Sequence, residues 1–355
     1  MKRTIIITLI IIIVVSLIYI IYSKTSVSNI TYYVTGKTYA KIENNKINKI
    51  NIEGYDYTYR ANMYTNNKNY NILLALKMKN ERTVEKANII SINKNNNEIK
   101  VLKEVSVDID PHDFVYIDDN HFIIAEYYYE DKIIDGNMKK VKATLIKEIK
   151  DDKILWEFKT TDYPEFYNYY DSSTAFYNLE NNYDYMHFNS FAIDPNDNNL
   201  LASFRNINAI IKINRATGKY IWILGGLGNQ FNIPREALFT NQHSISFESD
   251  NSILMYDNGT FDKCSRILEL KIDETNKKVI DYNYYEFENV HTDSWGSVIE
   301  INKKRGIYLI HYGVGGNPDR NTVELRNLKT GEIYSSISFK DGETYQIIKE
   351  WYYDK

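Results

Sequence analysis

The sequence predicts an all-β chain arranged as a β-propeller of about six four-stranded blades, and three observations carry that prediction. Short apolar runs alternate with turns rich in Asn, Asp and Gly from about residue 31 to the end, and no long stretch has the 3.6-residue period of a helix. A unit opening on histidine recurs as His112-Asp113-Phe114-Val115, His187-Phe188-Asn189-Ser190 and His243-Ser244-Ile245-Ser246, and more loosely as His291-Thr292-Asp293-Ser294. Each opening is followed by a polar turn and a second apolar strand, at residues 122–125, 200–203, 253–256 and 307–310.

In chain order, Lys2 and Arg3 precede an uninterrupted apolar run over residues 4–22. As a helix rising about 1.5 Å per residue the run spans roughly 28 Å, about one hydrocarbon core. It is longer than a usual signal-peptide core, and Tyr22-Ser23-Lys24-Thr25 is a poor cleavage site, so residues 1–23 are expected to be an uncleaved transmembrane signal anchor. The leading positive charges put the N-terminus in the cytoplasm and the rest outside, on a single-pass protein of the cell membrane; cleavage would instead release a secreted protein. Residues 24–30 form a polar linker, and residues 31–355 the propeller. Segments 39–54 and 72–105 supply early blades. Paired third and fourth strands flank turns at 216–219 and 273–277, with Trp156 and Trp222 at the same place in successive units. The segments at 333–339 and 346–351 close the ring.

Composition excludes some functions. The 32 tyrosines accompany abundant Ile, Asn and Lys, a coding bias rather than a sign of an aromatic ligand. A net charge of −4 with both signs interleaved leaves no basic stripe, so nucleic acid is not an expected partner. Cys264 is the single cysteine, which rules out an intramolecular disulfide and cysteine-based zinc sites.

In a propeller the first strand of each blade lines the central channel, so residues distant in sequence meet at its mouth. His112, His187 and His243 would converge there with Asn189 and Arg205. Several imidazoles with one guanidinium make a cationic, donor-rich pocket suited to a tetrahedral oxyanion, and histidine serves as acid, base or nucleophile near neutral pH.

The elements His187-Phe188-Asn189-Ser190, Ser203-Phe204-Arg205-Asn206, Lys212 through Gly226, Gln242-His243, Tyr256-Asp257-Asn258-Gly259 and Ser265-Arg266 resemble, in order and spacing across residues 110–285, the bacterial arylsulfotransferases. These are propeller enzymes that move a sulfuryl group from an aryl sulfate donor to a phenol acceptor without a nucleotide. The resemblance implies that His243 is the nucleophile, transiently sulfurylated, and that His187 protonates the departing phenoxide and deprotonates the acceptor. It implies that Arg205 and His112 hold the sulfuryl oxygens with Asn189 in support, that Thr292 or Ser294 supplies a hydroxyl, and that neither cofactor nor metal takes part. Well-known members carry an extra N-terminal β domain for dimerisation and a disulfide. This chain has no second cysteine and is shorter, so no oligomeric state is carried over.

Plainer readings stand beside these. A lone histidine at a strand start is usually structural, and His291 is read so, as are His121 and His311 within apolar runs. Arg205 could instead pair with Asp257, and Arg266 is expected to pair with Asp257 or Glu269. Gly225-Gly226-Leu227-Gly228 lacks a following Lys-Ser/Thr and reads as a connecting turn. His112-Asp113 could be a metal pair, although no carboxylate recurs at ligand spacing. The rival function is a non-catalytic extracytoplasmic propeller that binds a ligand or protein; ester hydrolysis at the same site is a third.

Overall fold

The computed structural model describes residues 30–63, 69–80, 83–134, 136–171, 184–259, 264–317, 321–340 and 343–349. The expected anchor at 1–23 and all but the end of the linker lie outside the described residues, and among the described residues no helix is long and apolar enough to cross a membrane. The all-β expectation holds: among the described residues, apart from four short 3-10 turns, the elements are strands.

The strands run up and down in groups. β1 (Tyr32–Gly36), β2 (Ala40–Glu43) and β3 (Lys46–Lys49) form the first meander; β4 (Tyr57–Met63), β5 (Tyr70–Asn80), β6 (Thr83–Asn93) and β7 (Ile99–Val105) form the second. The third is β8 (Phe114–Asp118), β9 (His121–Ile134), β10 (Asn137–Lys150) and β11 (Lys153–Lys159). The fourth is β12 (Phe188–Ile193), β13 (Leu200–Phe204), β14 (Ala209–Asn214) and β15 (Lys219–Leu224), and the fifth is β16 (His243–Phe247), β17 (Ser252–Asp257), β18 (Arg266–Asp273) and β19 (Lys278–Glu286). A two-stranded ribbon of β20 (His291–Ser294) and β23 (Val314–Asn317) accompanies the sixth group: β21 (Ser297–Asn302), β22 (Ile307–His311), β24 (Thr322–Asn327) and β25 (Ile333–Ser338). The last strand, β26 (Thr344–Lys349), pairs antiparallel with β1 and gives the first group its fourth strand. β4 also pairs in parallel with β8 and touches β1 through Gly36 and Thr58, so hydrogen bonding joins the first three groups.

The sequence makes these meanders for local reasons. Two-residue hairpins of type I′ need both turn residues at positive φ, and Asn44-Asn45 and Asp151-Asp152 supply them at 50°, 61°, 48° and 64°. Strand alternation then feeds two cores from one strand: on β5, Ile72, Leu74 and Leu76 enter the layer shared with the third group, while Leu73 and Ala75 enter the layer shared with the first. Burial on both faces explains why such strands read as unbroken apolar runs.

Six apolar layers result, each between consecutive groups, and the last joins Leu309 and Val323 of the sixth group to Val34 and Ile42 of the first. Each fully buried Leu or Ile contributes about 1.5–3 kcal/mol to this packing. One strand from each group also touches the next in a cycle, β26, β4, β8, β12, β16, β21 and back to β26. The short strands expected from sequence underestimate β9 and β10, which run 14 residues each.

Candidate active site

His112, His187 and His243 reach one place because each sits at the start of an inner strand: two residues before β8, one before β12, and first in β16. His187 and Ser244 both have φ of 53°, and the pairing register slips beside each of them, between Phe188 and Ser190 and between His243 and Ser246. Such bulges re-aim side chains at strand ends. They also break the simple alternation by which Asn189 would share a face with His187. His291 stands apart from this pattern, because it opens β20 of the ribbon while the inner strand of its group is β21.

The rings of His112 and His187 meet edge to face at 5.1 Å between centroids. His243 lies in the electrostatic field of Arg205, His112 and His187, and His187 in that of His112 and Arg205. Arg205 follows β13 as the first residue of a 3-10 turn and is buried. Its Nη1 donates to Asn206 Oδ1 at 3.0 Å and its Nη2 to the Asp293 carbonyl at 2.9 Å, so the fork is held at two points. The segment is tied to the neighbouring histidine, since the Arg205 N–H donates to the His187 carbonyl at 2.9 Å.

The three imidazoles differ in what holds their Nδ1. His187 Nδ1 faces Asp184 Oδ2 at 2.9 Å, and His112 Nδ1 faces Asp110 Oδ1 at 2.5 Å with the Tyr127 hydroxyl at 3.3 Å. His243 Nδ1 lies between the Asn241 carbonyl at 2.9 Å and Asn258 Oδ1 at 2.7 Å. The orientation of Asn258 is fixed, because its Nδ2 donates to the carbonyls of Thr292 and Trp295 and to Thr292 Oγ1, each at 3.1 Å. Both groups facing His243 Nδ1 are therefore acceptors, so Nδ1 carries the proton and Nε2 keeps its lone pair.

Burial pushes His243 well below the ordinary imidazole value, Arg205 pushes it the same way, and the bond to Asn258 only partly opposes them. Burial also lowers His187, with Asp184 working against it. Burial alone would raise Asp184, but His187 and Lys142 outweigh it and hold the carboxyl below the usual range. Asp110 behaves alike: burial is overcome by His112 and then Lys142.

Asn189 donates from Nδ2 to the Gln242 carbonyl at 2.6 Å, bracing the residue before His243. Thr292 is buried, and its hydroxyl lies 3.1 Å from Tyr256 Oη, Ser265 Oγ and Asn258 Nδ2. Both therefore touch the support of His243.

The plainer readings resolve as follows. Asp257 is taken by Arg266 at 2.8 Å, not by Arg205. His121 bonds Glu148 at 2.7 Å, and His311 is buried against Asn321 and Thr344. Asp113 accepts from the N–H groups of Phe114 and Phe191, and among the described residues neither it nor His112 belongs to a group of three side chains placed to hold a metal ion. Gly225 and Gly226, at φ of 90° and 62°, lie in the connection leaving β15; a Cβ on Gly226 would come within 1.9 Å of the Ile207 carbonyl oxygen. Among the described residues one carboxylate trio could hold a cation, Asp194, Asp197 and Glu274, and Lys212 Nζ lies within 2.6–2.8 Å of all three.

The sequence reading missed the residues that orient the histidines. The signal was local: Asp110-Pro111-His112 and Asp184-Tyr185-Met186-His187 place a carboxylate before the ring, whereas Asn241-Gln242-His243 does not. Tyr345 and Trp295 were also missed. Tyr345 lies edge-on to His112 at 5.9 Å and to Trp295 at 5.1 Å, and nothing near either residue in sequence marks it.

An all-β scaffold thus gathers the buried His243 and Arg205 with the half-buried His112 and His187, each imidazole held at Nδ1 by a fixed partner. The sequence matches the arylsulfotransferase (ASST) profile over residues 66–346, and the chain belongs to that family. No curated protein matches the chain. Among solved structures, it is similar to a protein of unknown function from Bacteroides caccae, at 10% identity and TM-score 0.53, covering 90% of this chain and 98% of that one. It is also similar to a chain of a nidogen/laminin complex, at 10% identity and TM-score 0.52, covering 91% and 98%. At such identities these likenesses concern the fold alone.

Proposed function

We propose that the six strand groups close as a six-bladed propeller and that this protein transfers a sulfuryl group from an aryl sulfate to a phenol through a sulfurylated His243. The cyclic order of inner strands and apolar layers supports the architecture. The observation that carries the chemistry is the tautomer of His243: a neutral ring with Nδ1–H donated to Asn241 and Asn258 offers an Nε2 lone pair in a pocket with a guanidinium.

In the first half-reaction His243 Nε2 forms a bond to sulfur while the bond from sulfur to the aryl oxygen breaks. The departing phenoxide takes the proton of His187 Nε2–H. Asp184 on Nδ1 stabilises the protonated ring, and the negative sulfate ester raises the proton affinity that burial lowers. In the second, neutral His187 takes the proton of the acceptor phenol, whose oxygen bonds sulfur as the nitrogen–sulfur bond breaks. Sulfuryl transfer resembles phosphoryl transfer in its loose transition state, so placement and charge stabilisation by Arg205 and His112 dominate. Asn189 and Thr292 act by holding the segments around His243. No step requires a metal or cofactor.

The anchor at 1–23 and the linker at 24–30 would tether the domain of residues 31–355 to the outer face of the cell membrane, where the donors are small aryl sulfates and the acceptors small phenols. The test mixes the full chain in detergent with p-nitrophenyl sulfate and a phenol, then searches by mass spectrometry for a sulfurylated peptide containing His243. An adduct that forms with donor alone, is discharged by phenol, and disappears in His243→Asn supports ping-pong transfer. Discharge by water at the same rate as by phenol would make the enzyme a sulfatase. No adduct and no phenol release would leave a binding protein.

A further inference from the structure

Resting on that reading, we propose that Trp295, with Tyr345, is the wall that receives the aryl ring of the substrate, and that Trp295 also positions the nucleophile through its backbone. Two chains of contact place it there. Tyr345 touches His112 at 5.9 Å and Trp295 at 5.1 Å, with interplanar angles of 70° and 89°, so the three rings form a stepped aromatic corner beside the histidine pair. From the other side, the Trp295 carbonyl accepts from Asn258 Nδ2 at 3.1 Å, and Asn258 Oδ1 accepts from His243 Nδ1 at 2.7 Å. Trp295 thus connects by one contact to the ring beside His112 and by one residue to His243.

Its backbone is held in an uncommon state. Trp295 has φ of 65°, and a bulky residue there is an outlier that its surroundings must enforce. They do: Gly296, at φ of 93°, lies so close to Tyr256 that a Cβ would come within 2.6 Å of the ring, and a Cβ on Gly313 would come within 2.1 Å of the Ser294 carbonyl oxygen. A glycine at 295 would adopt this turn without strain. Tryptophan in its place is accounted for by its indole.

The indole is half-buried and its described contacts are the Tyr345 ring and, through the backbone, Asn258. It offers an aryl group a face, and its Nε1–H a donor for a ring substituent or ester oxygen. The substrate ring would then lie against Trp295 and Tyr345 with its sulfate between Arg205 and His243. Because one residue meets the substrate ring and braces Asn258, aryl binding and nucleophile alignment are coupled.

The experiment compares full-length wild type with Trp295→Ala, Trp295→Phe and Trp295→Gly, using 4-methylumbelliferyl sulfate and p-nitrophenyl sulfate as donors. Loss of an aromatic contact weakens donor binding about tenfold at most, so the alanine variant is expected to raise KM about tenfold for the two-ring donor and less for the one-ring donor, with kcat changed less than KM. The phenylalanine variant should recover most of that loss. The glycine variant keeps the carbonyl to Asn258, so the 15N shifts of His243 should stay those of an Nδ1–H ring while KM rises. Wild-type transfer with unchanged KM in the alanine and glycine variants would overturn this assignment and leave the sulfotransferase reading standing; no wild-type transfer would overturn that reading itself. Should the alanine variant not fold, the phenylalanine and glycine variants decide.

Discussion

Replacing Asn258 by alanine tests the central chemical argument. The side chain is buried and makes one bond to His243 and three donations to Thr292 and Trp295. Its loss leaves the Thr292 and Trp295 carbonyls short of a donor, at about 1–3 kcal/mol for each group left unsatisfied, so unfolding should ease by roughly 2–6 kcal/mol. His243 Nδ1–H keeps the Asn241 carbonyl at 2.9 Å, so the tautomer survives but one of its two acceptors is gone. In the proposed transfer positive charge builds on this ring as sulfur bonds to Nε2, and a hydrogen bond to a charged group contributes about 1.5–3 kcal/mol. The corresponding loss in single-turnover release of p-nitrophenol is roughly 10- to 150-fold. Asn258→Asp is the contrasting variant: it keeps an acceptor but adds a negative charge that favours protonated His243. Its rate should fall further at neutral pH and recover only as the pH rises. A single-turnover rate within twofold of wild type in Asn258→Ala, alongside a lowered urea midpoint, would refute the tautomer argument and reduce Asn258 to scaffolding.

Four further outcomes follow from the same geometry. Arg205→Lys replaces a fork held at Asn206 and Asp293 by a point charge, so kcat/KM should drop at least tenfold; near-normal steady-state kinetics would mark the arginine as structural. Asp184→Asn removes the carboxylate that opposes the burial of His187, so the rate loss should grow as the leaving phenol becomes more basic, read from a series of substituted aryl sulfates. Burial lowers His311 from 6.5 to about 4, so between those pH values the unfolded chain binds the extra proton and stability falls as pH falls through that window; urea titrations should show about 3 kcal/mol of loss that His311→Gln removes. Lys212→Met leaves Asp194, Asp197 and Glu274 without their shared cation, and a broken buried pair costs about 3–5 kcal/mol, which denaturant unfolding would detect.

The repeat was legible because a strand group has a local grammar: polar two-residue turns such as Asn44-Asn45, apolar second strands such as residues 200–204, and a histidine at the inner edge. Arg205 was legible from its motif, and its burial beside His187 follows from a backbone bond that a sequence pattern does not display. What the pattern could not reveal were the bulges. A shift of one residue at Phe188 or Ser244 changes where His187, Asn189 and His243 point, and it leaves no compositional mark because Ser244 takes a positive φ without being Gly or Asn. Trp295 and Tyr345 were hidden for another reason. They arrive from the connection between β20 and β21 and from the last strand, and among 32 tyrosines one that meets His112 looks like all the others.

Under the proposed mechanism, the partners of the histidines explain how one pocket can hold a nucleophile and an acid made of the same side chain. A carboxylate on Nδ1 raises a ring's affinity for a second proton, which suits the group that must protonate a leaving phenoxide; His187 has Asp184. A carbonyl and an amide on Nδ1 fix the tautomer without adding negative charge, which suits the group that must present a lone pair; His243 has Asn241 and Asn258. Burial lowers both rings, yet what opposes it at His187 is a charge and at His243 only a neutral hydrogen bond, so the two proton affinities are driven apart. Exchanging the partners tests this directly. In Asp184→Asn combined with Asn258→Asp, His187 should lose its proton more readily and His243 hold one, so both half-reactions should slow by more than either single variant predicts; activity near that of the milder single variant would mean that the partners position the rings without setting their protonation.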